Sequence, residues 1–218
     1  MNDKIKKLLN EKGPLAENEV KDFLKSHGIK TTNYELVKKV DDLKKLKIKF
    51  PVALKVCSRE ILHKTDVGGV RLGINNPDEL EKIFKKFVKK FPKENFLVEQ
   101  MEEKGVEIII GLVQDPSFGL TLMFGIGGIF TELYKDVTFR IVPIDRFDAQ
   151  MMITEIEGKK LFEGFRNIKA DKESVIDLLL KVSKIGKQLM DKIDQLDLNP
   201  VFVYEKSYCV VDAKLILK

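Results

Sequence analysis

The chain of 218 residues has no tryptophan, two histidines and two cysteines. Cys57 and Cys209 are far apart and form no C-x-x-C pair, so a cysteine framework is excluded. Each falls in an apolar strand pattern and reads as a buried thiol in a reducing compartment. No window reaches the ~18 apolar residues of a membrane span. The first five residues, Met-Asn-Asp-Lys-Ile, hold no apolar export core, and the expected location is the cytoplasm. Internal repeats, low-complexity segments and long linkers are also missing. The 39 Lys+Arg exceed the 34 Asp+Glu by a net charge of +5. These lysines are spread along helical patterns beside acids and are not interleaved with aromatics, which favours a solvated surface over nucleic-acid binding. A lysine- and glutamate-rich surface is also a feature of proteins from hot environments.

What is present is a chain long enough for a sizeable core, 44% hydrophobic and 33% charged. Helices are expected at 3–11, 15–26, 41–47, 77–91 and 175–189, and strands at 34–37, 52–56, 70–74, 96–101, 106–113, 120–126, 139–142, 198–204 and 208–217. The clearest helix repeats Leu80, Ile83, Phe84, Phe87, Val88 and Phe91 on one face, with Pro77, Asp78 and Glu79 at its start. His27 lies at a helix end before Gly28, where a contact with the helix dipole or plain exposure explains it. The three apolar runs between 96 and 126 suggest strands covered on both faces. Hairpins mixed with helices point to an α+β fold rather than a doubly wound sheet.

The most informative segment runs from 51 to 73. An apolar strand delivers Lys55, a polar loop delivers His63, Lys64, Asp66, Gly68 and Gly69, and a second apolar strand closes the unit. A lysine in an apolar strand either faces solvent or finds an anion, and the glycine loop nearby favours phosphate. Gly68 and Gly69 can let backbone N–H groups approach phosphate oxygens, although a Gly-Gly pair alone usually marks a turn. His63 is either simply exposed or a phosphoryl acceptor, with Lys64 and the amides near Gly68 to stabilise the dianion. A second glycine loop, Gly125-Ile126-Gly127-Gly128, follows a strand, with Thr131, Glu132, Asp136 and Arg140 beyond it. From the residues alone, those polar residues read as a solvated loop. Asp197, Asn199 and Asp212 are hard oxygen donors among apolar residues. They suit Mg²⁺, which takes one or two carboxylates plus nucleotide phosphates, or else turn chemistry around Asn199-Pro200. The register of the C-terminal hairpin decides whether Asp212 shares their face.

Several motifs in order carry a resemblance over essentially the whole chain: LAENE (15–19), FPVALKV (50–56), HKTDVGGV (63–70), EQMEEKGVEIIIG (99–111), FGIGGIFTELYKDVTFRIVPI (124–144), LDLNPVFV (196–203) and VDAK (211–214). With them the chain resembles the β subunit of ADP-forming acyl-CoA synthetases (acetate–CoA ligase, ADP-forming), an ATP-grasp module. More distantly it resembles the nucleotide-binding subunit of succinyl-CoA synthetase. The resemblance implies a two-lobed ATP-grasp fold binding ATP/ADP and Mg²⁺, with lobes near 25–100 and 101–218 and helix 1–24 packed on the module. Lys55 would hold the α/β-phosphates. Glu99, Gln100 and Met101 would form the adenine hinge through backbone groups, and Glu107 would accept the ribose hydroxyls. Gly127 and Gly128 would lie near the transferred phosphate with Glu132 beside them. Asn199, Asp212 and Asp197 would surround the metal. Asp197 stands where succinyl-CoA synthetases carry glutamate, which puts its direct ligation in question. His63 would match the histidine that carries phosphate between a CoA-binding α subunit and ADP. No G-x-G-x-x-G unit for CoA is recognisable, so a partner subunit is expected, in a heterotetramer of two copies of each. The rival readings are an ATP-grasp carboxylate–amine ligase, which needs no phosphohistidine, and a nucleotide-binding regulatory module.

Overall fold

The computed structural model describes residues 3–128, 136–164 and 169–218. The chain forms two compact units. One comprises 14–19 and 32–103; the other comprises 1–13, 20–31 and 104–218. This partition differs from the expected 25–100 and 101–218 lobes, because residues 20–31 group with the C-terminal part and 14–19 with the middle of the chain.

The smaller unit is a four-stranded antiparallel sheet in the order β2-β5-β3-β4, formed by β2 (Tyr34–Val37), β3 (Val52–Cys57), β4 (Val70–Ile74) and β5 (Asn95–Gln100). Its core joins Val52, Leu54, Val56, Ile74, Phe96 and Val98 of the sheet to Leu80, Phe84 and Phe87 of α4 (Pro77–Lys90). The start of α4 follows from its sequence. The Asn76 side chain accepts from the Glu79 amide at 2.9 Å, Pro77 takes the first turn, and the acids and lysines fall at the dipole-favoured ends. Two shorter helices, α1 (Asp3–Leu8) and α3 (Val40–Leu43), and α2 (Glu17–Ser26) complete the N-terminal elements, with a two-residue β1 at Gly13–Pro14.

The larger unit is built on a seven-stranded sheet in the order β1-β11-β9-β6-β7-β8, with β10 also paired to β9. Its strands are β6 (Val106–Asp115), β7 (Gly119–Ile126), β8 (Val137–Ile141), β9 (Ile193–Val203), β10 (Tyr208–Val210) and β11 (Ala213–Leu217). One face holds buried Ile108, Ile110, Leu112, Leu122 and Phe124. Two helices of this unit, α5 (Arg146–Glu155) and α6 (Lys172–Gln188), bury Met152 and Ile153, and Leu178, Leu179 and Val182. Asp171 caps α6 by accepting from the Glu173 and Ser174 amides. The α+β class expected from the pattern is the class observed.

Three elements were not expected: the two-residue β1, α5, and the 3-10 helix Glu157–Phe162 that follows α5. The local signal was present, because Asp145 and Asp148 form a reciprocal capping box at the start of α5. Its apolar pattern is weak, and Phe147 points outward at 67% exposure. The C-terminal strand expected over 208–217 breaks at Val211–Asp212 into β10 and β11. Asp136 and Arg140, read as solvated loop charges, are structural instead. Asp136 accepts from the Glu157 and Gly158 amides at 2.8 Å each, and Arg140 pairs with Glu155. Thr131 and Glu132 lie outside the described residues.

Candidate functional site

In the smaller unit, Lys55 sits on β3 with 5% exposure. A desolvated ammonium needs anions, and the structure supplies two carboxylates. Lys55 Nζ donates to Glu17 Oε1 at 3.0 Å, and Glu99 Oε2 lies 2.7 Å away. Glu17 Oε2 accepts from Lys64, and Glu99 Oε1 accepts from the Thr32 hydroxyl. Two lysines and two glutamates thus neutralise one another in a dry cluster. The lysine expected to await phosphate is already paired within the chain.

The loop after β3 is held at both ends. Arg59 grips Glu19 through Nε at 2.8 Å and a terminal nitrogen at 2.5 Å, while Lys64 grips Glu17. Between them His63 stands exposed, with no hydrogen bond to its ring among the described residues. The Gly68 and Gly69 amides do not reach outward as expected. Gly68 N donates to Thr65 O at 2.9 Å and Gly69 N to Lys64 O at 2.6 Å, closing the turn, so they offer no phosphate cradle. Lys64, expected to stabilise a phosphate on His63, is likewise committed to Glu17. At the expected hinge, Gln100 N donates to Asn33 O and Met101 N to Pro51 O, and the Glu99 carboxylate belongs to the ion cluster. His27, by contrast, behaves as expected, with Nδ1 2.9 Å from the Phe23 carbonyl at the end of α2.

In the larger unit, a cleft of about 750 Å³ is lined by Glu107, Gly127, Gly128, Lys104 and Tyr204, among others. The register of β6 and β7 brings the first three together: Ile108 pairs with Ile126, and Gly127 N donates to Glu107 O at 2.7 Å. Gly128 has φ +73, which favours glycine. Lys104, Tyr204 and Lys169 of this cleft were not singled out in the sequence; the pairing of Val106 with Val203 brings the first two together, and Lys169 joins them through its ion pair with Glu205.

The carboxylate group lies on β9 and at the break before β11. Ala213 pairs with Leu198 and Asn199 N donates to Asp212 O at 3.1 Å, so Asp212 stands opposite Asn199 and Lys214 opposite Asp197. Directly opposed residues share a sheet face, which answers the register question in favour of one cluster. Asp197 Oδ1 is buried with no hydrogen-bond partner among the described residues. Burial, and then the neighbouring Asp212 charge, push the Asp197 carboxyl up to about 6, against the pull of Lys214. An orphaned buried oxygen beside a second carboxylate and an amide is a donor set that fits a hard cation. Among the described residues, no group of three or more His, Cys, Asp and Glu could close around a metal by itself. An open site completed by phosphate oxygens matches that chemistry. No helix among the described residues is long and apolar enough to cross a membrane.

A family model described as an ATP-grasp domain matches residues 7–217. The β subunit of acetate–CoA ligase [ADP-forming] II from Pyrococcus furiosus is 44% identical, covering 94% of this chain and 92% of that subunit. Acetate–CoA ligase [ADP-forming] II from Archaeoglobus fulgidus is 41% identical over 93% of this chain, which spans only 30% of that longer protein. A solved acetyl-coenzyme A synthetase 1 from Ca. Korarchaeum cryptofilum contains coenzyme A and Mg-AMPPCP, with its phosphohistidine segment pointing towards the nucleotide binding site. It superposes with TM-score 0.82 at 40% identity, covering 97% of this chain and 96% of that one. With a family match over nearly its whole length and a β subunit matched end to end, the chain belongs to the ATP-grasp family, among the β subunits of ADP-forming acetate–CoA ligases.

Proposed function

We propose that this chain is the nucleotide-binding subunit of an ADP-forming acyl-CoA synthetase. The reaction is acyl-CoA + ADP + phosphate ⇌ carboxylic acid + ATP + CoA. This subunit moves the phosphoryl group between His63 and the nucleotide, and a CoA-binding α subunit carries the acyl chemistry. The observation that carries the reading is the display of His63, exposed between two anchored neighbours, in a chain that matches a β subunit over 92% of its length.

In the ATP-forming direction, the phosphorus–nitrogen bond on His63 breaks as a β-phosphate oxygen of ADP attacks, and the imidazole leaves neutral. Such transfers ask the protein for positioning and charge neutralisation. Glu107 accepts the ribose hydroxyls, and the Gly127–Gly128 turn lies against the phosphates. Lys55 serves the α/β-phosphates while held by Glu17 and Glu99, and the segment Glu99, Gln100 and Met101 serves the base. Gly68 and Gly69 shape the His63 loop. Asn199, Asp212 and Asp197 would hold Mg²⁺, which when bound neutralises phosphate charge. The finer assembly proposed is a heterotetramer with two copies of each subunit, in the cytoplasm.

The test is labelling with [γ-³²P]ATP and Mg²⁺ after coexpression with the CoA-binding subunit. Acid-labile, base-stable label on His63, lost together with acyl-CoA formation in His63→Ala, is expected. Full activity in His63→Ala would overturn the relay.

A further inference from the structure

Three consecutive residues at the start of α2 hold the segment that displays His63. Glu17 takes Lys55 and Lys64, Asn18 Oδ1 accepts from the Cys57 thiol at 3.1 Å, and Glu19 takes Arg59. They are far from that segment in sequence, 38 residues for Glu17 to Lys55 and 47 for Glu17 to Lys64. Glu17 is 4% exposed and each of its oxygens faces a different ammonium. We infer that Glu17 is the positioning residue of the phosphoryl relay: one carboxylate that fixes the strand lysine and the neighbour of His63 relative to each other. The inference rests on the relay proposed above and goes beyond the roles implied by the family resemblance, which assign none to Glu17.

The chemistry of a two-oxygen staple makes the role specific. A glutamine presents an NH₂ to one of the two ammoniums and cannot accept from it. An aspartate is one methylene shorter and cannot span both. In either variant one lysine is released, and Lys64 goes first. Its side chain is 13% exposed against 6% for Lys55, so water reaches it at less cost. The released lysine is adjacent to His63, so the loss falls on phosphoryl transfer to the histidine rather than on nucleotide binding. Misplacement of a reacting group by about 1 Å can cost ~100-fold.

The experiment is rapid-quench labelling of His63 in the full chain with [γ-³²P]ATP and Mg²⁺. Nucleotide affinity is measured by calorimetry, and both are done well below the unfolding temperature. Glu17→Gln and Lys64→Met should each slow labelling by about tenfold or more while nucleotide Kd changes less than about threefold. The double variant should be no slower than either single one, because both break the same contact. Lys64→Arg, which keeps the charge and the reach, should label near the wild-type rate. A folded Glu17→Gln chain that labels at the wild-type rate, or single losses that multiply in the double variant, would overturn the role of Glu17 alone. A wild-type chain that takes no phosphate on His63 would overturn this inference together with the relay.

Discussion

A Cβ on Gly128 would stand 2.7 Å from Oε2 of Glu107, so the glycine turn and the carboxylate meet with no room for a methyl group. The pairing of β6 with β7 creates this contact within the cleft.

Gly128→Ala should therefore weaken nucleotide binding by about tenfold, combining the cost of φ +73 for an L-residue with displacement of Glu107. Calorimetry on Gly128→Ala and on Glu107→Ala/Gly128→Ala separates the two causes. In the double variant the steric part vanishes, so the second substitution should cost less than it does alone. Wild-type affinity in Gly128→Ala would remove this turn from the nucleotide site.

The raised Asp197 carboxyl predicts a pH dependence of stability. Its folded value of about 6 exceeds the ordinary 3.8, so the folded state binds more protons between these values. Stability contributed by this group is present below about 4, falls as pH rises to about 6, and stays lower above it, a penalty on the order of 3 kcal/mol. Asp197→Asn should flatten the fall in urea-unfolding free energy across pH 4 to 6. Asp212→Asn should recover only the smaller share, because burial is the larger cause, while weakening Mg²⁺-dependent nucleotide binding. An unchanged pH profile in Asp197→Asn would contradict the burial account.

Lys55→Met leaves the buried Glu99 carboxylate facing no ammonium at 2.7 Å. The expected loss is about 3–5 kcal/mol, and Lys55→Met/Glu99→Gln should regain part of it. Denaturant titration of the three proteins reads this directly. A loss below about 1 kcal/mol would show that the cluster is solvated in solution.

Burial pushes the Cys57 thiol up to about 11. At pH 8 roughly one thiol in a thousand is ionised, so Cys57 should be nearly inert to a disulfide reagent in the native state and react fast in urea. Native-state modification of Cys57 at the rate of an exposed thiol would show that this part of β3 opens readily.

Much of the fold was legible locally. The helix from Pro77 announces its cap, its acids and its apolar face within one stretch, and strands such as 34–37 and 70–74 are bounded as the pattern implied. The helix from Arg146 was not legible, because its capping box introduces a stretch whose Phe147 faces outward and blurs the periodicity. For the site, the glycine turn with Glu107 and the grouping of Asp197, Asn199 and Asp212 were foreseen as residues, but their contact depends on register. The pairing with β9 keeps one register across the break at Val211–Asp212, from Val210 with Val201 to Ala213 with Leu198, and this register places Asp212 opposite Asn199.

The sequence by itself determined most of the elements, the α+β class, the buried thiols and the family, because periodicity, caps and ordered motifs depend on near neighbours. Only the tertiary structure decided which anions Lys55 meets, that the Gly68 and Gly69 amides turn inward, and that Glu17 joins Lys55 to Lys64. A desolvated charge is satisfied by whichever segment folding brings beside it, and here that segment is 38 to 47 residues away.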